Sequence, residues 1–171
     1  MKLLIASDIH GNYLNIKKAI QDNSDFDYLL LLGDILEGPS TSGYDKEKVA
    51  NLLNIYKSKI IAVRGNCDYD ISLLEFNINK NYLTIPFDNK IFFLTHGHYY
   101  NKYNMPDIEY DIFLSGHTHV AKMEKEGNKL FLNPGSLSLP RSGNKSYMIY
   151  QDGIFYLKDL DNNEIIKKIS I

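Results

Sequence analysis

The sequence predicts an α/β fold of two mixed β-sheets packed face to face, with helices outside them. Three observations predict it. The first third of the chain alternates strand-length apolar runs with helical patterns. The remainder reads mostly as hairpins. No linker-like stretch interrupts the 171 residues, so a single domain over 1–171 is expected.

Lys2–Ala6 is apolar on both faces, as a central strand should be. Leu14, Ile16, Ala19 and Ile20 then trace a helical face, with Lys17 and Lys18 turned outward. Tyr28–Leu32 is a second buried strand. A strand, helix and strand of this length imply a right-handed crossover and a parallel pair. Ile35–Gly43 reads as a loop. Asp45–Tyr56 reads as a second helix with Val49, Leu52, Leu53 and Tyr56 inward. Ile60–Val63 is a third strand. Leu83–Pro86 and Lys90–Thr95 follow as a pair around Phe87-Asp88-Asn89. Tyr99–Glu109 is polar, rich in Asn and Tyr, and holds Pro106, which leaves a surface loop or a short helix. Ile112–Leu114 is the next strand. Ala121–Glu126 and Lys129–Asn133 form a hairpin around Gly127-Asn128. Ser146–Tyr150 and Ile154–Leu160 form another around Gln151-Asp152-Gly153, and Glu164–Ile169 is a last edge strand.

A net charge of −2 gives no dedicated nucleic-acid surface, because binding phosphate backbone needs a basic face. The longest apolar runs are strand-length, too short to cross a membrane. Met1-Lys2 leads straight into the first strand with no small-residue cleavage site, so no signal peptide is expected. The single cysteine excludes an internal disulfide and fits a cytoplasmic location.

The chemistry collects at strand ends. All five histidines, His10, His96, His98, His117 and His119, lie in turns that directly follow apolar runs, and Cys67 lies in another. Ligands of open α/β sheets sit beyond the carboxyl ends of strands. Asp8, His10, Asp34, Asn66, His96, His117 and His119 can therefore converge. Carboxylate, imidazole and amide oxygen together suit Mn²⁺, Fe²⁺ or Zn²⁺. Seven donors exceed one ion, and two ions need a bridging carboxylate. Asp34 is the natural bridge, since it follows a central strand and Gly33 lets the backbone approach closely. His98 stands open as a ligand, an orienting neighbour or a solvent-facing residue.

Asp8-Ile9-His10, Gly33-Asp34, Gly65-Asn66, Thr95-His96-Gly97-His98 and Gly116-His117-Thr118-His119 resemble, in order, the five signature blocks of the calcineurin-like metallophosphoesterases. Asn133-Pro134-Gly135-Ser136 with Pro140-Arg141 resembles the small single-domain YfcE-type phosphodiesterase branch. Singly the blocks are loose; together, from Lys2 to about Tyr150, they are highly specific. The resemblance implies a four-layer α/β/β/α sandwich and a metal-dependent phosphodiesterase with two divalent ions. Mn²⁺ is the first expectation, with Ni²⁺, Fe²⁺, Zn²⁺ or Co²⁺ as alternatives. Carried over, one ion takes Asp8, His10, Asp34 and His119, and the other takes Asp34, Asn66, His96 and His117. A metal-bridging hydroxide then attacks phosphorus in line, with His10, Asn66 and Cys67 as catalytic residues and Asn12 lining the pocket.

Many family members carry His where this chain has Cys67. A thiol is a poor proton donor beside an imidazolium, which favours diesters with good leaving groups. Arg141 stands equally as a phosphate clamp and as a surface residue after a turn. The substrate expected is a small phosphodiester or nucleotide. Two competing readings are a non-catalytic interaction scaffold on the same fold, resembling the retromer subunit of the superfamily, and a nucleotide or dinucleotide polyphosphate hydrolase. The tyrosines at 99, 100, 103 and 110 are open to packing, to stacking on a base or to sealing a homodimer, which the sequence permits without requiring.

Overall fold

The first strand, β1 (Lys2–Ala6), has neighbours on both edges and both faces, which explains its unbroken apolar run. It pairs in parallel with β2 (Tyr28–Leu31) and antiparallel with β9 (Ser146–Gln151). A computed structural model describes the whole chain, Met1–Ile171. With β3 (Ile60–Ala62), β10 (Ile154–Asp159) and β11 (Ile165–Ser170), these strands form a six-stranded sheet in the order β11-β10-β9-β1-β2-β3. The second sheet is built from β4 (Tyr82–Phe87), β5 (Lys90–Thr95), β6 (Ile112–Leu114), β7 (Lys122–Glu126) and β8 (Lys129–Asn133), in the order β4-β5-β6-β8-β7. Both sheets are mixed, as expected.

Side-chain alternation sorts the core into layers. Leu4 and Ala6 of β1, with Leu29 and Leu31 of β2, face two helices. Helix α1 (Tyr13–Gln21) contributes Ile16, Ala19 and Ile20, and α2 (Lys46–Ile55) contributes Val49, Ala50 and Leu53. Leu3, Ile5 and Leu30 point the other way, against Phe92, Leu94, Ile112, Leu114 and Leu132 of the second sheet. Asp45 caps α2, its carboxylate accepting the Lys48 N–H at 3.0 Å.

The outer face of the five-stranded sheet differs from the helical side. Phe93, Phe113 and Phe131 line it, and Tyr100, Met105 and Tyr110 pack over them. The segment between β5 and β6 that supplies this cover contains no helix. Of the two readings of Tyr99–Glu109, the loop is the one adopted. Its cross-bonded Asn101 and Asn104 close a tight turn, and Pro106 follows. The fourth layer of the sandwich is thus a loop packed on aromatic rings.

Phe87 ends β4 instead of joining the turn, because its ring is buried edge-on against Phe92 at 5.3 Å. The turn is Asp88-Asn89, with φ of 49° and 59°, the two-residue hairpin geometry that matches strand twist.

Candidate metal centre

Past their last strand residues, β1 and β2 keep pairing. The N–H groups of Asp8 and His10 donate to the carbonyls of Gly33 and Asp34, at 3.1 and 2.9 Å. This holds the two loops side by side. The β6 loop joins them from the other sheet, where the His117 N–H donates to Asp8 Oδ2 at 3.0 Å. Gly116 makes that approach achievable: a Cβ there would lie 1.8 Å from Ser7 Oγ. Ligand-type atoms of Asp8, His10, Asp34 and His119 all fall within 4.8 Å of one another.

The chemistry of these donors fits a cation. His10 Nδ1–H donates to the Glu37 carbonyl at 2.8 Å, and His119 Nδ1–H donates to the Leu139 carbonyl at 2.6 Å. In the neutral imidazoles each Nε2 is then a bare lone pair. Those two Nε2 atoms face each other at 3.3 Å. Asp8 Oδ1 lies 3.1 Å from His119 Nε2 and 3.9 Å from His10 Nε2, buried and without a hydrogen-bond partner. Asp34 Oδ2 lies 3.7 Å from His10 Nε2. Lone pairs aimed at one point repel unless positive charge sits between them. The Asp8 carboxylate accordingly raises the basicity of His119, drawing a proton into that place.

A second group of donors adjoins Asp34 Oδ2. His96 Nε2 is 3.4 Å from that oxygen and 3.0 Å from Asn66 Oδ1, while His96 Nδ1–H donates to the Leu32 carbonyl at 2.7 Å. His117 stacks edge-on against His96 with ring centroids 5.1 Å apart, but its ring nitrogens lie outside the close cluster. Burial works to raise the Asp34 pKa, but bonding to His96 and its charge outweigh this and hold it at about 2. Burial works to lower His96, and its bond and attraction to Asp34 leave it raised. His98 is exposed, 5.3 Å from the His96 ring. Its pKa is lowered by burial and by the neighbouring imidazoles.

The backbone is strained where donors are needed. Asp8, His10, Asp34, His117 and His119 all have positive φ, between 48° and 66°. The other non-glycine residues with positive φ are Asp or Asn at the turns between strands. Each such residue costs on the order of 1 kcal/mol, and such strain persists where surrounding structure enforces it.

One residue with an expected role and two without one hold the loops in place. The Asn12 side chain, expected to line the pocket, is bonded to backbone groups. It is buried at the start of α1, where Oδ1 accepts the Asn15 N–H at 3.2 Å and Nδ2 donates to the Ser42 carbonyl at 2.9 Å. Its amide is committed to capping the helix. Asp68, given no role by the sequence, is central. Its buried carboxylate accepts the N–H groups of Asp34 (2.9 Å), Ile35 (2.8 Å) and Gly65 (2.7 Å), binding the β2 and β3 loops together. Ser136 was also missed as a brace. Its hydroxyl donates to the Asp8 carbonyl at 2.8 Å and accepts the N–H groups of Ser138 and Leu139. The Asn133-Pro134-Gly135-Ser136 block marks Ser136 without showing its partner, and nothing local marks Asp68, because the partners of both are distant in sequence. Cys67 lies beside Asp34, which accepts its N–H at 2.8 Å. Arg141 is exposed and is tied to the site through its N–H, which donates to the His119 carbonyl at 3.0 Å.

Residues 1–152 match the calcineurin-like phosphoesterase superfamily domain. The chain is 36% identical to phosphodiesterase YfcE of Escherichia coli K12, over 100% of this chain and 98% of that protein. It is 31% identical to a phosphodiesterase of Methanocaldococcus jannaschii, over 79% of this chain and 83% of that one. The solved structure of the YfcE phosphoesterase from E. coli superposes with a TM-score of 0.92, at 35% identity and with full coverage of both chains.

Proposed function

This chain belongs to the calcineurin-like phosphoesterase superfamily, and from that premise we propose that it hydrolyses small phosphodiesters at two divalent cations. It is an enzyme of the metallophosphoesterase family, with a candidate metal-binding cluster. The observation that carries the proposal is the buried convergence of the His10 and His119 lone pairs on the partnerless Asp8 oxygen. Asp8, His10, Asp34 and His119 would hold the first ion. Asp34, Asn66, His96 and His117 would hold the second, with Mn²⁺ as the first candidate. When bound, the pair supplies an acidified water for in-line attack on phosphorus and positive charge for the phosphoryl oxygens.

The chain's own groups do the rest. The carbonyls of Glu37, Leu32 and Leu139 fix the tautomers of His10, His96 and His119 and so keep each Nε2 free as a donor. Asp34, ionised at all physiological pH values, faces both donor groups. Arg141 offers an exposed guanidinium beside His119 for a substrate phosphate oxygen. Burial and the charge of Asp34 push the Cys67 thiol up to about 12, so it stays protonated and gives up its proton poorly. Leaving groups must therefore depart as stable anions. The whole chain acts as one domain, and the proposal places it in the cytoplasm. No helix is long and apolar enough to cross a membrane.

The test is a metal count on protein purified without chelator, with hydrolysis of bis-p-nitrophenyl phosphate in Mn²⁺ beside Asp34→Asn. Two ions per chain are expected, with a loss of more than about 100-fold in kcat/KM for the variant. Protein that binds no divalent ion and turns over no ester would instead be the non-catalytic scaffold.

A further inference from the structure

A cavity of ≈ 430 Å³ opens beside His117 and His98 and extends over the outer face of the five-stranded sheet. That volume is typical of small-molecule sites, about 300–1,000 Å³. Its lining includes the buried Phe113 and Phe131, Ser115 and Thr118 from the loop that carries His117, and Lys102 with the exposed Tyr103 at the rim. Tyr103 is 92% exposed, an unusual state for so large a ring. Its position is not slack. Asn101 and Asn104 exchange backbone hydrogen bonds at 3.2 and 3.0 Å, and the Tyr103 N–H donates to Asn101 Oδ1 at 2.9 Å. Asn104 Nδ2 anchors the turn to the Tyr99 carbonyl at 2.9 Å. A braced turn thus presents an aromatic ring to solvent at the mouth of the cavity. Lys102 Nζ lies between the rings, 5.9 Å from the Tyr103 centroid and 5.1 Å from that of Phe131.

Resting on the phosphodiesterase reading, we propose that this cavity is the subsite for one ester arm of the substrate, and that the arm is planar and aromatic, of the nucleobase class. Continuity with His117 places the arm next to the phosphoryl group. The exposed Tyr103 ring offers a flat face for stacking, which a thin alkyl arm would not use, above an apolar floor of buried phenylalanines. The Ser115 hydroxyl can bond ring heteroatoms, whereas the Thr118 hydroxyl already accepts from Asn133 Nδ2 and the Val120 N–H. The Lys102 ammonium is paired with the Glu126 carboxylate, so it favours an electron-rich ring over an attached anionic group.

The experiment uses the Mn²⁺-loaded full chain, titrated by calorimetry with adenosine 5′-monophosphate and with ribose 5-phosphate, which share a phosphate and sugar and differ in the base. The wild type should bind the nucleotide on the order of tenfold more tightly. Tyr103→Ala should lose that advantage and bind ribose 5-phosphate unchanged. Because the ring is solvent-exposed, the variant should fold. Tyr103→Trp should keep the preference. The chain has no tryptophan of its own, so the new indole reports directly, its fluorescence quenched by the nucleotide and not by ribose 5-phosphate. Equal affinities in the wild type, or nucleotide binding untouched by Tyr103→Ala, would overturn the subsite. Failure of the phosphodiesterase reading shows separately, as absent metal and absent turnover of bis-p-nitrophenyl phosphate.

Discussion

At the scale of single residues, Cys67 and Asp68 sit side by side and do different work. In the proposed mechanism Cys67 takes the place of an imidazole proton donor, and burial and Asp34 leave its thiol too weak an acid for that. Cys67→His should raise kcat/KM on alkyl phosphate monoesters by tenfold or more and leave p-nitrophenyl diesters nearly unchanged, since p-nitrophenolate needs no proton. Equal rates of the parent enzyme on aryl and alkyl esters would defeat this account. Asp68 touches no candidate ligand side chain, yet its carboxylate accepts three backbone N–H groups. In Asp68→Asn one amide hydrogen must face an N–H, at a cost of about 2–4 kcal/mol. Urea unfolding of the metal-free protein measures it, and a change below about 0.5 kcal/mol would count against the brace. Candidate donors were legible because their residue types are chemically distinctive. Asp68 and Asn12 were not, since a carboxylate or amide after a strand looks the same whether it binds a ligand, caps a helix or ties two loops.

Among the elements, strand and helix positions were legible to within a residue or two, because burial on both faces leaves β1 and β2 continuously apolar and one-sided burial leaves α1 and α2 periodic. The cover over Phe93, Phe113 and Phe131 was not, because rings scattered through a polar loop have no period to read. The fit between loops was equally hidden. Gly65, after β3, lies so near the β2 loop that a Cβ would stand 2.3 Å from the Asp34 backbone nitrogen and 2.1 Å from its Oδ1. A backbone atom cannot swing aside as a side-chain tip can. Gly65→Ala should therefore push the two loops apart, cut Mn²⁺ affinity by more than tenfold and lower the melting temperature. Mn²⁺ titration by calorimetry decides, and unchanged affinity would show that the loops yield. The same substitution at Gly127, in the β7–β8 turn, meets no atom within 4 Å and should leave Mn²⁺ affinity intact.

For the molecule as a whole, the sandwich stores unfavourable terms at the seam between its sheets: five donors in left-handed backbone conformations and lone pairs in opposition. A bound cation would relieve the repulsion, and a ligand that binds the native state alone stabilises it by about 2.7 kcal/mol at a hundred times Kd. In the metal-free protein protons fill part of that role. His96 and His119 have raised pKa values in the fold, so their contribution to stability is fully present below the unfolded histidine pKa of about 6.5 and is lost as pH rises through the raised values. The metal-loaded protein behaves oppositely. Its ligands must be deprotonated, so affinity weakens at low pH and grows as the protons leave. The gap in melting temperature between Mn²⁺-saturated and chelated protein should consequently widen from about pH 6 to about pH 8. Calorimetric melts at fixed free Mn²⁺ measure the gap directly. A gap that stays constant or narrows over that interval would mean that the cation does not displace protons from His96 and His119, and would remove these imidazoles from the ligand set.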